Sequence, residues 1–280
     1  MRILCCHGFG TGPEVMKHQL AKLQKYCDPS WQFYFVAGQF EGPPDPGVAA
    51  AFPGPYLCYS LDFDTAGMRA AHGLLDQEFE KHGPFDGVLG FSTGAALLAA
   101  YLLEKMALYP EKPLPVQFAI FCSTIPPLSA DSAYTEMVLG SLSPEEQQRI
   151  RSSDDIQISQ LPEPIRSSIS LTARCFDLLK AVHGRPLSDF LDRSMIDVPC
   201  ILRPDVYNAR LAIPTFHCWG KNDPPVFQES AMLVESFCHP RLCISYQHSV
   251  IHNLPRSAVE VKEMVSGIEK MISLNQQPRL

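Results

Sequence analysis

Phe85–Ala100 reads FDGVLGFSTGAALLAA, and its centre, Gly90-Phe91-Ser92-Thr93-Gly94, is a G-x-S-x-G pentapeptide. Gly87-Val88-Leu89, just before it, is a short apolar run that suits a buried strand. Ala95–Leu103, just after it, is rich in Ala and Leu, which are good helix formers. A serine on a sharp turn between strand and helix has a strained backbone and an exposed Oγ. The flanking glycines are needed there because side chains would collide with the adjoining helix and strand. The helix N-terminus also aims free N–H groups at any oxyanion formed beside Ser92. The bare pentapeptide also occurs in ordinary Gly-Ser turns; the strand–turn–helix setting is what marks Ser92 as a nucleophile.

The pattern around this turn repeats in both directions. Arg2–Cys6 is a β-rich run that opens into His7-Gly8-Phe9-Gly10-Thr11-Gly12. Glu14–Tyr26 has the apolar spacing of an amphipathic helix, and Trp31–Val36 is aromatic and β-branched like a strand. Ala37–Tyr59 is rich in Pro and Gly and reads as a long loop. Phe40, Phe52, Tyr56 and Tyr59 on it either line a pocket or pack the loop onto the core. Asp64–His82 reads as a helix, and Val116–Ser123 as another buried strand. This alternation of strand and helix implies an α/β fold with a mainly parallel sheet flanked by helices.

Residues 124–213 interrupt the alternation with no convincing strand. Ser143-Pro144-Glu145-Glu146 is a helix start with a capping box, and Ile165–Val182 reads as one longer helix. The segment is expected to be a helical lid over the carboxyl end of the sheet, inserted within a single domain spanning 1–280. The alternation resumes with a strand at Pro214–Trp219, a helix at Phe227–Phe237, a strand at Leu242–Gln247 and a final helix at Ser257–Ile272.

Composition narrows the function. Across 280 residues, 46% are hydrophobic and the net charge is −7, with no basic cluster. A large core is affordable, and nucleic acid or an anionic membrane is not an expected partner. The apolar run near Met1 is too short for a signal-peptide core. Ten cysteines form no C-x-x-C pair, so reduced thiols in a cytoplasmic protein, without metal, are expected.

A serine hydroxyl is a weak nucleophile until a base takes its proton and a carboxylate orients that base. Ser92 is followed in the chain by Asp223, after the next-to-last strand, and by His252, after the last. In a parallel sheet all three loops open on one edge, in the order Ser, Asp, His of α/β-hydrolases. Asp223 in Lys221-Asn222-Asp223-Pro224 also fits a turn cap. His248 competes with His252 for the base, but it sits at the strand end and is expected to stay on the sheet edge. The oxyanion donors should be the backbone N–H groups of Thr93 and Phe9, with His7 bracing the loop that carries Phe9.

Four stretches together resemble the FSH-type serine hydrolases, small fungal α/β-hydrolases related to the ovarian-cancer-associated hydrolase. They are Ile3–Phe9, Gly83–Ala95 with its Gly-Phe-Ser centre, Gly220–Asp223 and His252–Pro255. The resemblance spans the sheet-forming parts of nearly the whole chain. It implies an esterase or thioesterase with Ser92, Asp223 and His252 as triad. It also implies a role in fungal secondary metabolism, releasing or trimming a polyketide-type acyl chain, some of it carried on a synthase. The implied substrate is a small-molecule or carrier-protein-bound acyl group, and no cofactor is called for. Thr93 stands where the family usually has Gln, and Val250-Ile251 where it usually has Gly-Gly. Acyl transfer or cyclisation on the same triad, or ligand binding without turnover, are the alternative activities.

Overall fold

The computed structural model describes residues 1–274; residues 275–280 of the expected 1–280 domain lie outside the described residues. The chain opens with β1 (Arg2–Cys6), α1 (Pro13–Tyr26) and β2 (Gln32–Val36). The Pro/Gly-rich segment holds β3 (Phe40–Glu41), α2 (Pro46–Ala49) and β4 (Leu57–Cys58). Next come α3 (Thr65–His82), β5 (Gly87–Phe91), α4 (Thr93–Leu108) and β6 (Phe118–Cys122). Short helices follow: α5 (Ser132–Thr135), α6 (Pro144–Arg151), α7 (Asp155–Ile158), α8 (Ile165–Leu178), α9 (Lys180–His183) and α10 (Ser188–Leu191). The chain then returns to β7 (Thr215–Gly220), α11 (Pro225–Glu235), β8 (Cys243–His248) and α12 (Ala258–Ser273).

The six-stranded sheet runs β2-β1-β5-β6-β7-β8, and every neighbouring pair is parallel. β3 and β4 form a separate antiparallel pair. Parallel strands need crossovers, which the helices supply while burying both faces. The pleat sorts the side chains. Ile3 and Cys5 of β1 pack with α1 and α12, whereas Leu4 and Cys6 pack with α3 and α4. Every residue of β5 and β6 is buried. In α4, Thr93–Leu103 is buried on all sides, which explains its lack of a polar face.

Among the described residues, 124–213 contains no strand of the sheet. Its regular pairing is limited to isolated bridges such as Leu128 with Ile201. The capping box forms as expected: Ser143 accepts from the Glu146 N–H, and Glu146 accepts from the Ser143 N–H. The single helix expected over Ile165–Val182 is instead two, because the helix stops at Leu178 and α9 begins at Lys180. The apolar side chains of this segment join the core that covers α3 and α4. All ten cysteines are unpaired, and all but Cys243 are buried. Burial pushes the Cys6 thiol up to about 12, so it behaves as a small hydrophobe. Among the described residues, no helix is long and apolar enough to cross a membrane.

Candidate active site

Ser92 joins β5 to α4 with φ 54° and ψ −118°, a backbone region that L residues rarely occupy. The turn is tight enough to need both glycines. A Cβ on Gly90 would lie 2.4 Å from the Ala95 Cα, and one on Gly94 would lie 2.3 Å from the Cys6 carbonyl oxygen. The Ser92 N–H donates to the Cys122 carbonyl at 2.9 Å, tying the turn to β6. The side chain sits at the carboxyl edge of the sheet, where the loops after β1, β7 and β8 also emerge.

The loop after β8 brings His252 to the serine, with Nε2 3.1 Å from Ser92 Oγ. The ring stacks on Phe227 with centroids 3.9 Å apart, and Phe91 lies 5.6 Å away. Lost water contact pushes the imidazole pKa down to about 4, while the Asp223 and Asp45 carboxylates pull it up. His248 is buried at the end of β8, where it pairs in register with Gly220, and makes no hydrogen bond to Ser92.

Asp223 is buried just past β7, but its partners differ from those expected. One oxygen accepts from the Gly220 N–H at 2.9 Å, and the other accepts from the backbone N–H of His252. The imidazole Nδ1 is buried and has no hydrogen-bond partner among the described residues. The carboxylate therefore grips the loop that carries His252, not its ring. The cause is the close passage of that loop over β7. A Cβ on Gly220 would lie 2.2 Å from the Val250 carbonyl oxygen, and His252 takes φ 35° just after Val250-Ile251.

The candidate oxyanion donors come from adjacent elements. Thr93 is the first residue of α4, so its N–H has no acceptor within the helix. Among the described residues, the Phe9 N–H makes no backbone hydrogen bond. Gly8 lies against the nucleophile turn: a Cβ there would be 3.2 Å from the Phe91 ring and 3.5 Å from Ser92 Cβ. His7 braces this loop. Its Nε2 accepts from the Gly38 N–H at 3.0 Å, which leaves Nδ1 to donate to the Gly8 carbonyl at 2.7 Å. The Pro/Gly-rich segment clamps the loop from outside, with Asp45 N–H donating to the Gly10 carbonyl at 2.9 Å. That segment therefore packs and shapes at once.

Ser92, Thr93, Phe9 and His252 open into a cleft of about 870 Å³. Val15 and His18 of α1, Asp45 and Phe52 of the loop segment, and Leu178 and Leu179 of the insertion form its walls. Of the aromatic residues expected to bind substrate, Phe52 lines the cleft, and Phe40 and Tyr56 do not. Phe40 is 37% exposed on β3, and the Tyr56 hydroxyl donates to the Phe52 carbonyl at 2.6 Å. Tyr59 is buried beneath the loop, accepting from the His7 N–H and donating to the Val36 carbonyl. Sequence reasoning missed Phe227, Asp45 and His18. Phe227, near the start of the helix that follows Asp223, carried a usable signal; the other two depend on how distant loops fold back. No group of three or more His, Cys, Asp or Glu side chains among the described residues is arranged to hold a metal ion.

A family model described as Serine hydrolase (FSH1) matches residues 1–264. The serine hydrolase cnsH of Penicillium expansum is 38% identical over 233 residues, covering 83% of this chain and 96% of that protein. The esterase alnB of Emericella nidulans is 30% identical over 283 residues, covering 100% and 99%. The esterase FPY3 of Fusarium mangiferae is 29% identical, covering 98% and 97%.

Proposed function

The chain belongs to the serine hydrolase (FSH1) family, and we propose that it cleaves an ester or thioester through Ser92, His252 and Asp223. The contact between Ser92 Oγ and His252 Nε2 is the observation that carries this reading. His252 Nε2 takes the Ser92 proton as Oγ attacks the carbonyl carbon. The N–H groups of Thr93 and Phe9 bind the resulting oxyanion, each such donor lowering the barrier by on the order of 3 kcal/mol. His252 then gives its proton to the departing oxygen or sulfur, leaving Ser92 acylated. Water, deprotonated by the same nitrogen, attacks the acyl-enzyme and releases the carboxylic acid. Asp223 acts by pinning the His252 backbone and placing a negative charge beside the imidazolium. The scheme draws on no cofactor.

The substrate we favour is a polyketide-type ester or thioester, free or on a carrier protein of a synthase, from which an acyl group is released or trimmed. The size of the cleft supports a bulky substrate, and the fungal relatives named esterases support cleavage of an ester. Replacing Ser92 with Ala should lower hydrolysis of p-nitrophenyl esters by roughly 10³-fold or more, to the residual level left by the rest of the site. Unchanged turnover would remove Ser92 from the chemistry. The partnerless His252 Nδ1 favours a second reading, ligand binding with little turnover. An acyl-enzyme that forms and never decays would select it. Transfer to an added alcohol acceptor, read from product mass, would select acyl transfer or cyclisation instead.

A further inference from the structure

Phe9 and Thr93 face two spaces, and the smaller one bears on which substrate the site takes. On one side is the cleft that holds Ser92 and His252. On the other is an apolar pocket walled by Met68 of α3, Leu97 of α4, and Ile125 and Leu128 after β6. All four of these side chains are buried, Tyr59, Ser60, Phe63 and Ala96 complete the wall, and the pocket reaches the site through Phe9 and Thr93, since neither Ser92 nor His252 lines it. The free space is about 20 Å³, against about 870 Å³ in the cleft. A void needs roughly 10–15 Å³ to hold one water, so the pocket takes a group about the size of a methyl.

The chemistry assigns the two halves of a substrate to these spaces. The carbonyl carbon in the tetrahedral intermediate bonds to Ser92 Oγ, the oxyanion, the leaving group and the acyl remainder. The oxyanion lies at Phe9 and Thr93. The leaving atom must lie within reach of His252 Nε2, because that nitrogen supplies its proton. The leaving group therefore belongs in the cleft, which His252 lines. The acyl remainder is the one substituent left, and it points away from His252, past Phe9 and Thr93. Resting on the hydrolase reading above, we propose that this pocket is the acyl site and that the enzyme removes a short acyl group, of acetyl size, from a bulky alcohol or thiol seated in the cleft. The large, polyketide-type half of the substrate is then the leaving group, which selects trimming of a short acyl group over release of the chain from a carrier thiol, and the reaction that makes the substrate is an acylation of its hydroxyl or thiol.

A chain-length series on the wild-type enzyme tests this without any variant. The acylation burst should be at least about tenfold faster with p-nitrophenyl acetate than with the octanoate, since a few methylenes misplaced in a rigid pocket cost that much. In Met68→Ala, the ratio of octanoate to acetate rates should rise several-fold. Fluorophosphonate labelling of Ser92 measured in parallel reports on a folded, reactive site. Equal or faster reaction with octanoate, or no reaction with acetate, in a protein whose Ser92 still labels would overturn the short-acyl assignment and leave the hydrolase reading standing. Failure of Ser92 to label would overturn the reading beneath it.

Discussion

Ser92 is held at φ 54° in a turn that closes only because Gly90 and Gly94, two residues to either side, carry no side chain. Replacing Gly94 with Ala would drive a methyl into the Cys6 carbonyl, against backbone that has no room to yield. The expected result is a loss of about 3 kcal/mol in stability and of most activity, seen as a lower Tm and a slow esterase. This part of the site was legible because a turn that forbids Cβ atoms leaves glycines in the sequence next to the residue it presents. The partners of Asp223 were not legible, because they depend on how closely the Val250 loop crosses Gly220. Asp223→Asn keeps one acceptor oxygen for two backbone N–H groups and loses the charge. The kcat should fall roughly 10³–10⁴-fold, and an effect below tenfold would remove Asp223 from the positioning of the base. The pH profile belongs to His252. Burial disfavours its cation, so the base stays neutral down to about pH 4, and the acid limb of kcat/KM should fall well below the ordinary value of 6.5. A limb at or above 6.5 would count against His252 as the base.

At the level of elements, strand and helix order could be read because the central strands β5, β6 and β7 are buried on both faces and are nearly continuous in apolar residues. The capping box of α6 was equally plain, since its donors and acceptors are local in sequence. Ser143→Ala should lower stability by about 1 kcal/mol without changing kcat, measured by thermal melting beside an esterase assay. The break between α8 and α9 at Leu179 was hidden, because the apolar spacing runs on through Leu178 and Leu179. That break matters to the site, since both leucines line the cleft. The Pro/Gly-rich segment was legible as an irregular loop but not in its path, so Phe52 and Phe40 could not be told apart from sequence.

For the whole molecule, folding buries several histidines in neutral form. Loss of water pushes His7 down to about 4 and His217 down to about 3, as it does His252 to about 4. Between those values and the unfolded value near 6.5, the unfolded chain binds more protons than the folded one. Stability is therefore full above about pH 6.5 and drops as the pH falls toward 4. Thermal melts should show a Tm that declines across that window, and a flat Tm would contradict the buried neutral state. The same folding brings Ser92, Asp223 and His252, far apart in the chain, to one edge of the parallel sheet, and that convergence is the central claim. Peptide mass mapping after reaction with a fluorophosphonate probe tests it most directly. One adduct on the peptide containing Ser92, absent from Ser92→Ala and much slower to form in His252→Ala, is the expected result. An adduct on another residue, or undiminished labelling of either variant, would contradict it.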